Sequence, residues 1–132
     1  GIMVNERLFQ KDGKVDLDNP AYWLGQRIGI NPLWPGWSDP QIGKNVFQQG
    51  GWSTDSPYHV LLHEAAHHDH LTRRDRPRQA ELSPDQFDIA GKVSAYAQKS
   101  PDEFVAEVMV GKIAGRKFDD DVMDQYRRLG GR

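Results

Sequence analysis

The chain has 132 residues, 37% of them hydrophobic and 27% charged, which suits one small domain with one core. Its net charge of −2 supplies no field that would draw nucleic acid or anionic lipid. There is no cysteine, so disulfides, thiolate-bound zinc and thiol nucleophiles are excluded, and no apolar run approaches the ~18 residues of a membrane span.

No signal-peptide pattern opens the chain, and its ends, "GIM" and "LGGR", read as those of a domain excised from a larger protein. "DNPAYWLGQRIGIN" (18–31) predicts a short helix starting after Asp18 or Asn19, with Pro20 in its first turn. "NPLWPGWSDP" (31–40) is turn-forming. In "QIGKNVFQQGGW" (41–52) a short strand is expected at 44–48, ended by Gly50-Gly51. "STDSPYHVLLHEAAHHDHLTRR" reads as a helix, with Ser56 as N-cap and Pro57 at the first helical position. Val60, Leu61, Leu62, Ala65, Ala66 and Leu71 cover more than one of its faces, so it is expected to be largely buried.

Residues 73–83 form a polar connector whose arginines, Arg73, Arg74, Arg76 and Arg78, read as solvated surface. A nucleic-acid partner has only these arginines in its favour, without interleaved aromatics for base stacking, and is not expected. Ser83-Pro84 opens a helix through about residue 97. Ser100-Pro101 opens another through about 114, where Ser100 and Glu103 fit a capping box. "DDDVMDQYRRLGG" gives a last amphipathic helix, with acids in its first turn and arginines in its last. The sum is a single α+β domain over 1–132, mostly α-helical, with a small sheet or hairpin in its first third.

The chemistry concentrates in "HEAAH" at 63–67. On a helix, positions i and i+4 lie one turn apart on one face, so His63 and His67 can reach one ion. Glu64, about 100° round the helix, reaches a water beside that ion without being a ligand. Zn²⁺ needs such a set, together with a third ligand and an open position. It brings the pKa of a water towards 7, and a glutamate takes the proton as the water attacks a carbonyl. His59, His68 and His70 read as packing or solvated histidines.

With no cysteine, the third ligand is His, Asp or Glu. Glu103 and Glu107 in "SPDEFVAEVMVG" share one helix face. Two acids one turn apart repel unless a cation or donors neutralise them. The economical arrangement puts Glu103 on the metal and Glu107 behind it, accepting an N–H from a ligating histidine. The swapped arrangement and a solvated acidic stripe are the alternatives.

HExxH followed by a helix carrying Glu-x-x-Ala-Glu (103–107) resembles the gluzincin branch of the zincin metallopeptidases. Tyr96 lies seven residues before Glu103, the interval seen in the lethal-factor-like group, where the phenol hydrogen-bonds the oxyanion of the tetrahedral intermediate. "VSAYAQKSPDEFVAEVMV" and "YRRLGG" are also similar to metallopeptidase-like domains of phage head-morphogenesis (Mu F-type) proteins and multidomain toxins. The resemblance covers roughly residues 44–130. It implies a minimal zincin-like fold, with the HExxH helix packed on the Glu-bearing helix and a substrate-aligning edge strand supplied by 44–48. It also implies zinc on His63, His67 and Glu103, with Glu64 as general base and then proton donor to the leaving amine, and Tyr96 as oxyanion donor.

The function expected is that of a zinc metalloendopeptidase acting on a protein or peptide, in a secreted or injected effector or a phage particle. The competing reading is a non-catalytic module stapled by zinc inside a phage structural or toxin protein. A structural site needs neither a general base nor an oxyanion donor, so Glu64 and Tyr96 favour the enzyme.

Overall fold

The computed structural model describes residues 2–5, 9–11, 14–15, 19–24 and 27–132. Strands β1 (Ile2–Val4), β4 (Ala21–Leu24) and β5 (Arg27–Ile30) form a three-stranded sheet of order β1-β5-β4, while β2 (Gln10–Lys11) and β3 (Lys14–Val15) pair as a separate antiparallel ribbon. Five helices follow: α1 (Pro40–Gln48), α2 (His59–Thr72), α3 (Pro84–Gly91), α4 (Pro101–Ile113) and α5 (Asp120–Arg128), with 3₁₀ turns at Pro35–Trp37 and Tyr96–Lys99. The domain is thus α+β and mostly helical, its sheet confined to the first third. Among the described residues no helix is long and apolar enough to cross a membrane.

The short helix expected over 18–31 is instead the β4–β5 pair, antiparallel in the register Ala21↔Ile30 to Leu24↔Arg27. Asp18, offered as its cap, lies outside the described residues. Pairing decides the matter. β5 is sandwiched between β4 and the parallel β1, and the Pro20 carbonyl continues the ladder by accepting from Asn31 N–H at 2.8 Å. Ala21 and Ile30 then face Trp34 and Val60 in one apolar cluster, a use of alternate positions that a strand permits.

The strand expected at 44–48 is also absent, since these residues belong to α1. Asp39 caps the helix by accepting from Gln41 N–H at 3.0 Å, Pro40 occupies its first turn, and Gln41 bonds Asn45 one turn on at 2.8 Å. These local terms outweigh the β-leaning Val46 and Phe47. Gly50 ends the segment with φ +79°, a conformation that favours glycine.

α3 stops at Gly91 rather than near 97. Arg116 explains the stop: its guanidinium donates to the carbonyls of Lys92, Val93 and Ser53, each at 2.9 Å, so the chain turns there with its acceptors satisfied. Ser83 and Gln86 form a full capping box, whereas Ser100 makes only half of one. Ser100 Oγ accepts from Glu103 N–H at 3.2 Å, but the Glu103 carboxylate turns to histidines.

α3, α4 and α5 enclose the main core, where Phe104 and Tyr126 are fully buried. Removing Phe104 from water alone contributes about 2–3 kcal/mol. α2 packs on α4 on one side and on β4 on the other, so one helix carries the histidines between the two apolar clusters.

Candidate metal centre

α2 begins at His59, two residues later than expected. Ser56 and Pro57 make a turn before it, with the Ser56 carbonyl accepting from His59 N–H at 3.0 Å. Half of the helix is buried, Val60 and Ala66 of the apolar set included, but the buried face is mainly polar. His59, His63, Glu64, His67 and His70 point inward, while Leu61 is 37% exposed and Ala65 faces solvent. A helix that buries four histidines and a glutamate while exposing leucine contradicts the usual burial order, and such conflicts concentrate at functional sites.

α4 answers that face. Glu103 Oε2 lies 2.8 Å from His63 Nε2, and Glu103 Oε1 lies 3.0 Å from His67 Nε2. Glu107, fully buried one turn on, places Oε2 2.7 Å from His63 Nδ1 and 2.8 Å from His59 Nε2, and its Oε1 accepts from Ser53 N–H and Ser94 O–H at 3.0 Å each. Two sets could therefore hold a metal ion, His63 with His67 and Glu103, and His59 with His63 and Glu107. The chemistry of the donors separates them. In the second set His59 Nε2 and His63 Nδ1 already donate to Glu107, His59 Nδ1 meets Thr54, and Glu107 accepts four hydrogen bonds. In the first set a cation meets two imidazole Nε2 atoms and a carboxylate, with the proton of His63 held on Nδ1 by Glu107, an orientation typical of a metal-ligating histidine. The first set fits a divalent ion.

Electrostatics agrees. Burial opposes a charge on Glu103 and Glu107. The hydrogen bonds from His63 and His67 to Glu103, and from His59 and His63 to Glu107, outweigh it and bring each carboxyl down to about 2. Burial likewise works against a charged His63, and the two glutamates overcome it, raising the imidazole from 6.5 to about 10. For metal-free protein the signs follow. The carboxylates contribute stability above pH 4.5 that is lost as pH falls towards 2, and His63 contributes stability below pH 6.5 that is lost as pH rises towards 10. Denaturation in a chelator is expected to show a stability maximum between these limits. A flat profile from acid to alkali would mean that the cluster is not an ion-paired unit.

Glu64 and Tyr96 complete the site. Two adjoining cavities of about 310 Å³ each share Asn19, Ala21, Glu64 and Tyr96 in their walls; one includes His63, the other His67 and Glu103. Glu64 Oε2 is buried and has no hydrogen-bond partner among the described residues. Its carboxyl is raised above the ordinary value by burial, against the pull of His63 and His67. The Tyr96 phenol is pushed up to about 12 by burial and then by Glu103, Glu64 and Glu107, so it stays a proton donor. Its ring stands edge-on to His63, 5.3 Å between centroids.

The structure therefore brings together His63, Glu64, His67, Tyr96, Glu103 and Glu107. His68 is exposed, and His70 is a buried packing histidine 2.8 Å from the Leu129 carbonyl. His59 is buried too, but it also joins the cluster through Glu107. Its signal in the sequence was position: 59, 63 and 67 run at four-residue intervals along one helix face. Compared with protein-family models, curated proteins and solved structures, the chain has no match.

Proposed function

We propose that this domain is a zinc-dependent metallopeptidase that hydrolyses peptide bonds in a protein or peptide substrate. One observation carries the reading. Glu64, with a buried and unpartnered carboxylate oxygen, and Tyr96 face the same cleft as His63, His67 and Glu103. A zinc ion on those three residues supplies, when bound, an acidified water and an electrophile for the carbonyl. Glu64 takes the proton of the attacking water and delivers it to the leaving amine. Tyr96, protonated throughout, donates to the oxyanion that forms at the carbonyl. Among the described residues β4 is an edge of the sheet, and Asn19, Ala21 and Trp23 line the cleft. An extended substrate can add to that edge through main-chain hydrogen bonds, the role expected of 44–48 that α1 cannot fill.

The test is metal content followed by cleavage. Wild-type protein is expected to carry about one zinc per chain. Glu103→Ala should lose it, Tyr96→Phe should keep it, and wild type should cleave members of a peptide library. Equal zinc in the Glu103→Ala and Tyr96→Phe proteins would show the third ligand to be wrong. Zinc without cleavage of any peptide would leave a zinc-stapled module instead.

A further inference from the structure

We infer that His59 is a positioning residue for His63, acting through Glu107; this rests on the reading of His63, His67 and Glu103 as the metal ligands. His59 is 2% exposed and its ring is held at three points. Nδ1 lies 2.8 Å from Thr54 Oγ1, Nε2 lies 2.8 Å from Glu107 Oε2, and one face stacks on Trp52 at 4.8 Å between centroids and 10° between planes.

The direction of the chain of hydrogen bonds follows from what each group can donate. The ionised Glu107 Oε2 can only accept, so His59 Nε2 is the donor towards it, and a neutral imidazole then leaves Nδ1 to accept from the Thr54 O–H. Nδ1 is then the acceptor, and His59 carries its proton on Nε2, facing Glu107. Glu107 Oε2 thus receives N–H groups from His59 and His63, while Ser53 and Ser94 occupy Oε1. A carboxylate with four donors in fixed positions cannot rotate. The oxygen that meets His63 must accept, so when a cation displaces the Nε2 proton the remaining His63 proton stays on Nδ1 and the Nε2 lone pair faces the side of Glu103 and His67. His59 borders the cavity beside His63 but makes no hydrogen bond to His63, His67 or Glu103. It sets the orientation of the carboxylate that sets the tautomer of the ligand.

Zinc affinity, measured by competition with a chromophoric chelator, tests this. His59→Phe keeps an aromatic ring on Trp52 but removes both ring hydrogen bonds, and should weaken zinc about tenfold. His59→Gln places an amide N–H near the position of ring Nε2 and should stay within roughly threefold of wild type. His59→Asn places its amide near ring Nδ1, facing Thr54, and should weaken zinc as Phe does. A role in packing alone would not separate Gln from Asn. Unchanged affinity in folded His59→Phe protein, or equal affinity in the Gln and Asn variants, would overturn the inference, and the Gln–Asn contrast decides if the Phe variant does not fold. Zinc bound with that contrast, but no peptide cleaved, would remove the peptidase reading and leave the role of His59 intact. No zinc on wild-type protein would remove both.

Discussion

Replacing Glu64 by Gln should leave zinc bound and reduce peptide hydrolysis by about a thousandfold, the middle of the range for losing a general acid–base. Glutamine matches glutamate in volume, and Glu64 contributes no atom to the His63, His67 and Glu103 set, so the metal should stay. What is lost is an acceptor of adjustable basicity. Burial raises the Glu64 carboxyl, while the imidazoles of His63 and His67 pull it back. A carboxyl raised above its ordinary value takes a proton from water more readily and can return it to an amine. An amide can do neither. Zinc stoichiometry and peptide turnover on the same preparation give the answer, and undiminished turnover in the variant would eliminate Glu64 as the base.

The Glu107→Ala substitution is expected to cost about 3–5 kcal/mol, because it leaves buried donors from Ser53, Ser94, His59 and His63 without their common acceptor. For a chain of this size that corresponds to a fall in melting temperature of roughly 10–20 °C. Against a total stability of about 5–15 kcal/mol, such a loss brings the domain close to unfolding. Glu107→Gln separates folding from metal binding. An amide nitrogen facing His63 becomes a donor, and the imidazole can satisfy it only by moving its proton to Nε2, where it blocks a cation. The Gln variant should therefore melt closer to wild type yet bind zinc about 10–100-fold more weakly. Calorimetry beside zinc titration checks both. Wild-type affinity in Glu107→Gln protein would show that the buried carboxylate has no hold on the His63 tautomer.

The parts of this architecture legible in the sequence are those fixed within a few residues. His63 and His67, and Glu103 and Glu107, are each placed by one helical turn. The cap-and-proline pairs at Ser83-Pro84 and Ser100-Pro101 mark true helix starts. What escaped was decided at a distance. Residues 21–30 satisfy a helix signal locally, but β5 pairs with β1 more than twenty residues earlier in the chain. The end of α3 is set by Arg116, far along the sequence. The inward face of α2 could not be seen either: its apolar residues cover several faces, and the partners that hold the histidines inside lie far along the chain, on α4 and at Leu129. His59 went unassigned because its partners, Thr54 and Glu107, lie on other elements.

The short segment from Gly50 to Ser53 has a wider consequence. The carbonyls of Gly50 and Gly51 accept from Ala95 N–H at 2.7 Å and Tyr96 N–H at 3.1 Å, Trp52 lines the cleft, and Ser53 grips Glu107 with its backbone at 3.0 Å. Three placements that the proposed chemistry needs in mutual register, a phenol, a cleft wall and the support of a candidate metal ligand, thus share four consecutive residues. Ordering each on a separate loop would cost backbone entropy of about 1–2 kcal/mol per residue several times over. On one segment the cost is incurred once, and consecutive residues hold the three in register.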